Sequence, residues 1–342
     1  MNTIDSNHTK IVVSSLAALL GALSCTNSES CQIVYVPILR NKGAASKFRN
    51  LEMQERILVD IGKMFGFETC YVEDPVRARE IISCDSIKII DVNSLGYLNC
   101  HARNLTNVSH FIGAGSEHLS AFIPRIPTLN LKDFRLRITI LNNYFLKFGI
   151  REVHCFVGKN SHSFLFWKAI PISRNNYRDI CQLIFEKLQK EVGYEFLEDL
   201  SVEMLQSLSK KLLVFLPVAA HYGGSENDYT KNLEYIFKLF PREDFYILIK
   251  SHPSDGKVKK IEANDFKTAC WDSDLSRTFP IEIILNAFQD RLVLLSAGSS
   301  AMFAVENGSK FMFYPNTSLG AKLAKRNSNH LLKSYSVIQI PN

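Results

Sequence analysis

The chain has 342 residues, with 40 Lys and Arg against 34 Asp and Glu, 46% hydrophobic residues and 22% charged ones. That balance is globular, and it excludes a disordered chain, a collagen-like repeat and a multi-span membrane protein. The length suggests about two domains. The net charge of +6 suits work near phosphates or an anionic membrane surface, but it lacks the clustered basic stripe of a nucleic-acid binder, so no nucleic-acid partner is expected.

The first apolar run, which follows Lys10, could pass for a secretory leader. A single Lys is a thin positive region, however, and Ser14-Ser15 interrupts the run. Ile11-Val12-Val13 reads instead as a short buried strand, residues 16–23 as the helix after it, and residues 32–37 as a second strand, giving a β-α-β start. A helical stretch at 50–65 follows, then strands at 71–72, 87–91 and 109–113, a helix at 136–148 and a strand at 152–157. Residues 176–211 read as two polar amphipathic helices and as the connection between domains.

The second half has the same rhythm. A continuous apolar strand at 212–217, of the kind covered by helices on both faces, leads through the Gly-rich loop 221–228 into a helix ending near Phe240. Strands at 245–250, 266–270, 291–295 and 310–314 alternate with helices at 281–288 and 300–307. Strands and helices alternating at this spacing predict parallel α/β sheets. The expected domains are 1–175, a connection at 176–211, and 212–342, with a ligand at the carboxyl ends of the strands.

The eight cysteines (Cys25, Cys31, Cys70, Cys84, Cys100, Cys155, Cys181 and Cys270) are scattered, with no C-x-x-C pair and no zinc-finger spacing. They read as reduced, buried thiols of a cytoplasmic protein. Five N-x-S/T sequons read as coincidence in a Ser- and Asn-rich sequence.

Two strand-to-loop junctions carry the chemistry. In Lys250-Ser251-His252-Pro253 a strand ends in a lysine and a histidine, both able to donate to a phosphate oxygen, with Pro253 restricting the backbone of His252. A loop histidine that only caps a turn is the plainer reading of this stretch alone. In Ser296-Ala297-Gly298-Ser299-Ser300 a strand ends where a helix begins, so Ser299 and Ser300 can offer hydroxyls and amides to an anion while Gly298 permits close approach. An ordinary N-cap serine is the plainer reading there. Both junctions belong to one parallel sheet and share its carboxyl edge, which favours the phosphate reading. Between them Pro280 sits at a helix start and Glu282 in the first turn, either as a complement to the helix dipole or as an acceptor for a ribose diol. P-loop, G-x-G-x-x-G, D-x-D and G-x-S-x-G patterns are all missing from the sequence, so no metal and no separate cofactor is expected.

The ordered set Lys250-Ser-His252-Pro253, Pro280-Ile-Glu282 and Ser299-Ser300 resembles the bacterial sialyltransferases and polysialyltransferases of GT-B fold. The resemblance implies two Rossmann-like domains with parallel sheets facing a central cleft. It also implies an inverting, metal-independent glycosyltransferase that takes sialic acid or a related nonulosonic acid from its CMP donor to a surface glycan, lipooligosaccharide or capsule. Lys250, His252, Pro253, Gly298, Ser299 and Ser300 would surround the CMP phosphate, and Glu282 would bind the ribose. The family's acidic D/E-D/E-G motif is absent: the matching stretch reads Phe111-Ile-Gly113-Ala-Gly115-Ser-Glu117-His118. Glu117 and His118 are therefore the first candidates for the catalytic base, and His162 the second. Kdo- or teichoic-acid-type transferases using a cytidine nucleotide, and a binding protein that has lost catalysis, are the competing readings. The basic runs 257–260 and 322–326 are solvated surface or a loose contact with an anionic inner membrane.

Overall fold

The computed structural model describes residues 9–26, 31–37, 51–83, 87–98, 105, 108–113, 149, 152–155, 168–200, 207, 209–216, 235–241, 243–250, 269–271, 278–296, 301–305, 307–314 and 336–339. They form two compact units, the first of Met1–Arg40 and Gln54–Ile184 and the second of Asn41–Met53 and Phe185–Asn342.

The first unit opens as the sequence predicts. The β-branched strand β1 (Thr9–Val13) leads into α1 (Leu16–Cys25), whose start is fixed by Ser15: its hydroxyl accepts the amide of Ala18 at 3.1 Å. β2 (Cys31–Tyr35) then pairs parallel with β1, Ile11 opposite Ile33. Gly21 lets α1 lie close to its neighbours, because a Cβ there would meet Ile112 at 3.2 Å and Ile172 at 3.4 Å. After α2 (Leu51–Met64) the chain turns at Gly66, with φ at 69°, into β3 (Glu68–Tyr71). This strand lies earlier than the expected 71–72, and its register with β2 stacks Tyr71 on Tyr35, ring centroids 5.6 Å apart.

α3 (Pro75–Ile82) is capped by Asp74 and has Pro75 in its first turn; β4 (Ile87–Asp91) and α4 (Val92–Leu98) follow. β5 (His110–Ile112), β6 (Glu152–Cys155) and β7 (Lys168–Pro171) complete a seven-stranded sheet of order β3-β2-β1-β4-β5-β6-β7. The sequence reading missed α3, α4 and β7, which are too short for their periodicity to stand out. The helix expected at 136–148 lies outside the described residues.

α5 (Arg174–Leu188) carries apolar residues at 177, 181, 184, 185 and 188, a helical seam that is fully buried. A 3-10 turn (Glu195–Leu200) follows, with Leu197 and Leu200 buried beside Tyr194, whose ring meets Phe279 at 6.3 Å. The polar appearance of 176–211 thus hides a packed stripe, because only one helical face meets the core.

The second unit contains β8 (Lys211–Leu216), β9 (Phe245–Lys250), β10 (Ala269–Trp271), α6 (Ile281–Ala287), β11 (Leu292–Ser296), α7 (Ala301–Ala304), β12 (Ser309–Tyr314) and β13 (Ser336–Gln339). Its six strands are all parallel, in the order β10-β9-β8-β11-β12-β13. On one face Leu213, Phe215, Ile247, Ile249, Val293 and Leu295 form a core with Ile236 and its flanking aromatics.

Both sheets have the Rossmann strand order, in which the chain winds outward from a central strand, returns beside it and winds the other way. The expected α/β architecture of two Rossmann-like domains with parallel sheets is therefore present. The reversal falls between β1 and β4 in the first unit and between β8 and β11 in the second. Crevices for ligands open at such reversals, outside the carboxyl ends of the strands.

Candidate functional site

In the second unit, register decides which side chains share the carboxyl edge. Trp271 lies opposite Lys250, and Ser296 lies opposite both Leu216 and Met312. β8 and β9 are in step to Phe215 and Ile249, one residue before Leu216 and Lys250. Lys250, Leu216 and Ser296 therefore end adjacent strands in one row. With strands about 4.8 Å apart, Lys250 and Ser296 are separated by about 10 Å and, by alternation, occupy the same face. That face is opposite the one carrying the Phe215 and Ile249 core.

Lys250 is 5% exposed and Ser296 1% exposed. Glu282, half-buried, enters from the first turn of α6, where Pro280 takes the capping position and not the first helical one. The structure brings Lys250 and Glu282 together electrostatically. Burial pulls the Lys250 ammonium down to about 8, and the Glu282 carboxylate partly offsets this. Burial raises the Glu282 carboxyl, against its own backbone N–H and the Lys250 charge. A buried ammonium beside a half-buried carboxylate can serve a ligand with both an anionic group and hydroxyls: the first replaces Glu282 as counter-charge to Lys250, the second gives Glu282 donors.

The remaining expected residues, His252, Pro253, Gly298, Ser299, Ser300, Glu117, His118 and His162, lie outside the described residues. In sequence, His252-Pro253 comes one residue after the end of β9, and Gly298-Ser299-Ser300 lies between the end of β11 and the start of α7.

α6 and α7 are tied by a buried amide. Asn286 Nδ2 donates to the backbone oxygen of Glu282 at 2.8 Å and to that of Ala304 at 3.3 Å, while Gln289 Nε2 donates to Asn286 Oδ1 at 2.8 Å.

The first unit has a polar cluster at its own reversal that sequence reasoning did not single out. Asp91, fully buried at the end of β4, accepts the amide of Ser94 at 3.0 Å through Oδ1. Its Oδ2 accepts the Ser94 hydroxyl at 2.8 Å and, in a short hydrogen bond, the amide of Ser14 beyond β1. Burial raises its carboxyl above the ordinary range, and the bonds from Ser94 and Ser14 oppose that. An acid ending an apolar strand, three residues before a serine, was the available signal; its cross-strand partner Ser14 was not.

A second missed feature is a pair of imidazoles. His110 on β5 and His154 on β6 meet with ring centroids 4.5 Å apart. Ser109 Oγ donates to the Lys88 carbonyl at 3.1 Å, so it accepts from His110 Nδ1–H at 2.6 Å, which leaves the lone pair on Nε2. Among the described residues no group of three His, Cys, Asp or Glu side chains could hold a metal ion. No helix among them is long and apolar enough to cross a membrane.

No protein-family model and no curated protein matches the sequence. Among solved structures, the chain is similar to a protein described as a UDP-N-acetylglucosamine 2-epimerase from Listeria monocytogenes, at 11% identity and a TM-score of 0.43 over 93% of this chain and 82% of that one. It is similar to the UDP-GlcNAc 2-epimerase of Methanocaldococcus jannaschii at 10% identity and 0.42, over 97% and 88%. An α,α-trehalose-phosphate synthase (UDP-forming) from Burkholderia vietnamiensis follows at 10% identity and 0.37, over 96% and 88%. Likeness of this degree adds nothing to the strand order, which carries the fold assignment by itself.

Proposed function

We propose that the chain is a glycosyltransferase that moves sialic acid or a related nonulosonic acid from its CMP donor to a surface glycan of the lipooligosaccharide or capsule kind, with inversion and without a metal. The observation that supports this most is the placement of Lys250 and Glu282 at one carboxyl edge, beside the strand reversal. A nucleoside monophosphate has the two groups this pair needs, a phosphate and a ribose diol.

In this reading Lys250, His252 and the hydroxyls and amides of Ser299 and Ser300 hold the phosphate, with Pro253 and Gly298 shaping the loops. Glu282 accepts from the ribose. The bond between the anomeric carbon and the phosphate oxygen breaks as the acceptor hydroxyl attacks, and the charge left on CMP meets the Lys250 ammonium and the other donors. Glu117 or His118 takes the acceptor proton. The enzyme works in the cytoplasm, and its basic runs at 257–260 and 322–326 touch the anionic inner leaflet.

The test is calorimetric titration of CMP, with UMP as comparison, into the wild type and His252→Ala, followed by assay of CMP release from CMP-sialic acid with a glycan acceptor. Binding of CMP weakened about tenfold or more by His252→Ala, together with turnover, is the expected result. Failure of the wild type to bind CMP would overturn the nucleotide assignment, and binding without turnover across CMP-linked acidic sugars would leave only a binding protein.

A further inference from the structure

His110 and His154 sit on neighbouring strands of the first unit, and the transfer proposed above uses neither. Their places follow from register. His154 lies opposite Ile112, which lies opposite Asp91, so these three share one row near the carboxyl edge. His110, two residues before Ile112, is one step back on the same face. Both imidazoles are half-buried, so solvent reaches them.

The two rings are spaced as adjacent ligands of one ion. Metal–nitrogen bonds of about 2.0 to 2.1 Å held at a right angle put two imidazole centroids roughly 4.5 Å apart, whereas a tetrahedral angle needs about 5.2 Å. The centroids of His110 and His154 are 4.5 Å apart, with the ring planes inclined at 57°. His110 also has the outer support of a ligand. Its Nδ1–H donates to Ser109 Oγ at 2.6 Å, and the Ser109 hydroxyl is tied in turn to the Lys88 carbonyl at 3.1 Å. A metal-bound histidine is normally held through its second nitrogen in this manner, and here the hold leaves the lone pair of Nε2 for the ion. Glu152 acts on His154 and Lys88 on His110 with charges of opposite sign. The carboxylate therefore brings no net attraction, and affinity falls to the imidazoles, which select nickel, copper and zinc over magnesium or calcium.

We propose that His110 and His154 hold a divalent transition-metal ion of the nickel or copper kind across β5 and β6, with water in its remaining positions. The right-angle spacing favours these two ions over tetrahedral zinc. With two protein ligands the ion exchanges freely, and while bound it ties the end of β6 to β5. The site does not rest on the nucleotide reading, and no step of the transfer runs through it.

The test is calorimetric titration of Ni2+, with Mg2+ as comparison, into the full chain stripped of metal by chelator and free of any affinity tag. The variants are His110→Gln, His154→Gln and Ser109→Ala, with thermal midpoints recorded on the same samples with and without Ni2+. One Ni2+ per chain is expected, with no heat from Mg2+. Either histidine substitution should weaken the site by about a hundredfold, since chelation by the pair is lost, and Ser109→Ala by about tenfold. Ni2+ should raise the midpoint of the wild type and not that of the histidine variants. Where those variants fail to fold, the Cu2+ electron paramagnetic resonance spectrum of the wild type takes their place and should show coupling to two imidazole nitrogens. Ni2+ affinity unchanged by either histidine substitution, a folded wild type that binds neither ion, or a Cu2+ spectrum without imidazole coupling overturns the proposal.

Discussion

Asp91 reaches across the central strand reversal of the first unit and accepts the backbone amide of Ser14. Through this bond the end of β4 holds the loop leaving β1, and that loop carries Ser15, the N-cap of α1. One buried carboxylate thereby fixes the two strand ends between which a ligand crevice opens in such a sheet.

Asp91→Ala leaves the buried amides of Ser14 and Ser94 without acceptors. The expected loss of stability is about 2 to 4 kcal/mol, from one or two unsatisfied donors. Urea denaturation at neutral pH measures it, and a loss below about 0.5 kcal/mol would mean that water or another group replaces the carboxylate. Since the folded carboxyl titrates above its ordinary range of about 3.8, the wild type holds more protons folded than unfolded just above that range, so stability falls as pH rises through that window.

At Gly21 α1 lies close against the side chains of Ile112 and Ile172. A Cβ at 3.2 Å from Ile112 leaves no room for branching. Gly21→Val should lower stability by about 1 to 3 kcal/mol through overpacking, despite the gain in helix propensity over glycine of a few tenths of a kcal/mol. An unchanged denaturation midpoint would show that α1 can shift outward at no cost.

Lys250 makes affinity and stability respond to pH in opposite senses. With its folded value lowered to about 8 from 10.5, the unfolded chain binds the proton more readily between these values. This residue's contribution to stability therefore rises with pH across that window. Phosphate binding needs the ammonium, so CMP affinity should fall as pH rises through about 8, approaching tenfold per pH unit. Calorimetry from pH 6.5 to 9.5 checks this, and Lys250→Met should flatten the profile. A wild-type profile as flat as that of Lys250→Met would remove Lys250 from the phosphate.

The His110–His154 pair should make the first unit acid-sensitive. Both imidazoles are depressed below their ordinary 6.5 by burial, with Lys88 lowering His110 further and His110 lowering His154 against the pull of Glu152. Protons therefore enter the unfolded chain first, and stability drops as pH falls through about 6.5 toward the depressed values. Denaturation midpoints at pH 7.5 and 5.0 for the wild type and for His110→Gln with His154→Gln measure the effect. Equal pH slopes in both would show that the pair is not the source.

Much of this protein was legible in its sequence because each strand is a short apolar run and each long helix has a stripe. β1, β4, β9 and β11 lie within a residue or two of where their β-branched and leucine runs place them. The place of Lys250 at a strand end and of Glu282 in a first helical turn followed from the local pattern alone. Short elements such as α3 and β7 escaped, since about one or two turns of periodicity cannot be told from chance.

The sequence by itself determined the alternation of strands and helices and the carboxyl-edge location of its polar residues, because both are local consequences of hydrophobic spacing and chain direction. Only the tertiary structure decided which strand ends are neighbours. Strand order put β11 beside β8 and so set Ser296 in the same row as Lys250, and it brought Asp91 to Ser14 across 77 residues of chain. It also closed the Asn286 bridge to Ala304. Hydrogen-bond partners and buried charges at such distances in sequence are set by register between strands, and no spacing within a single run of residues encodes register.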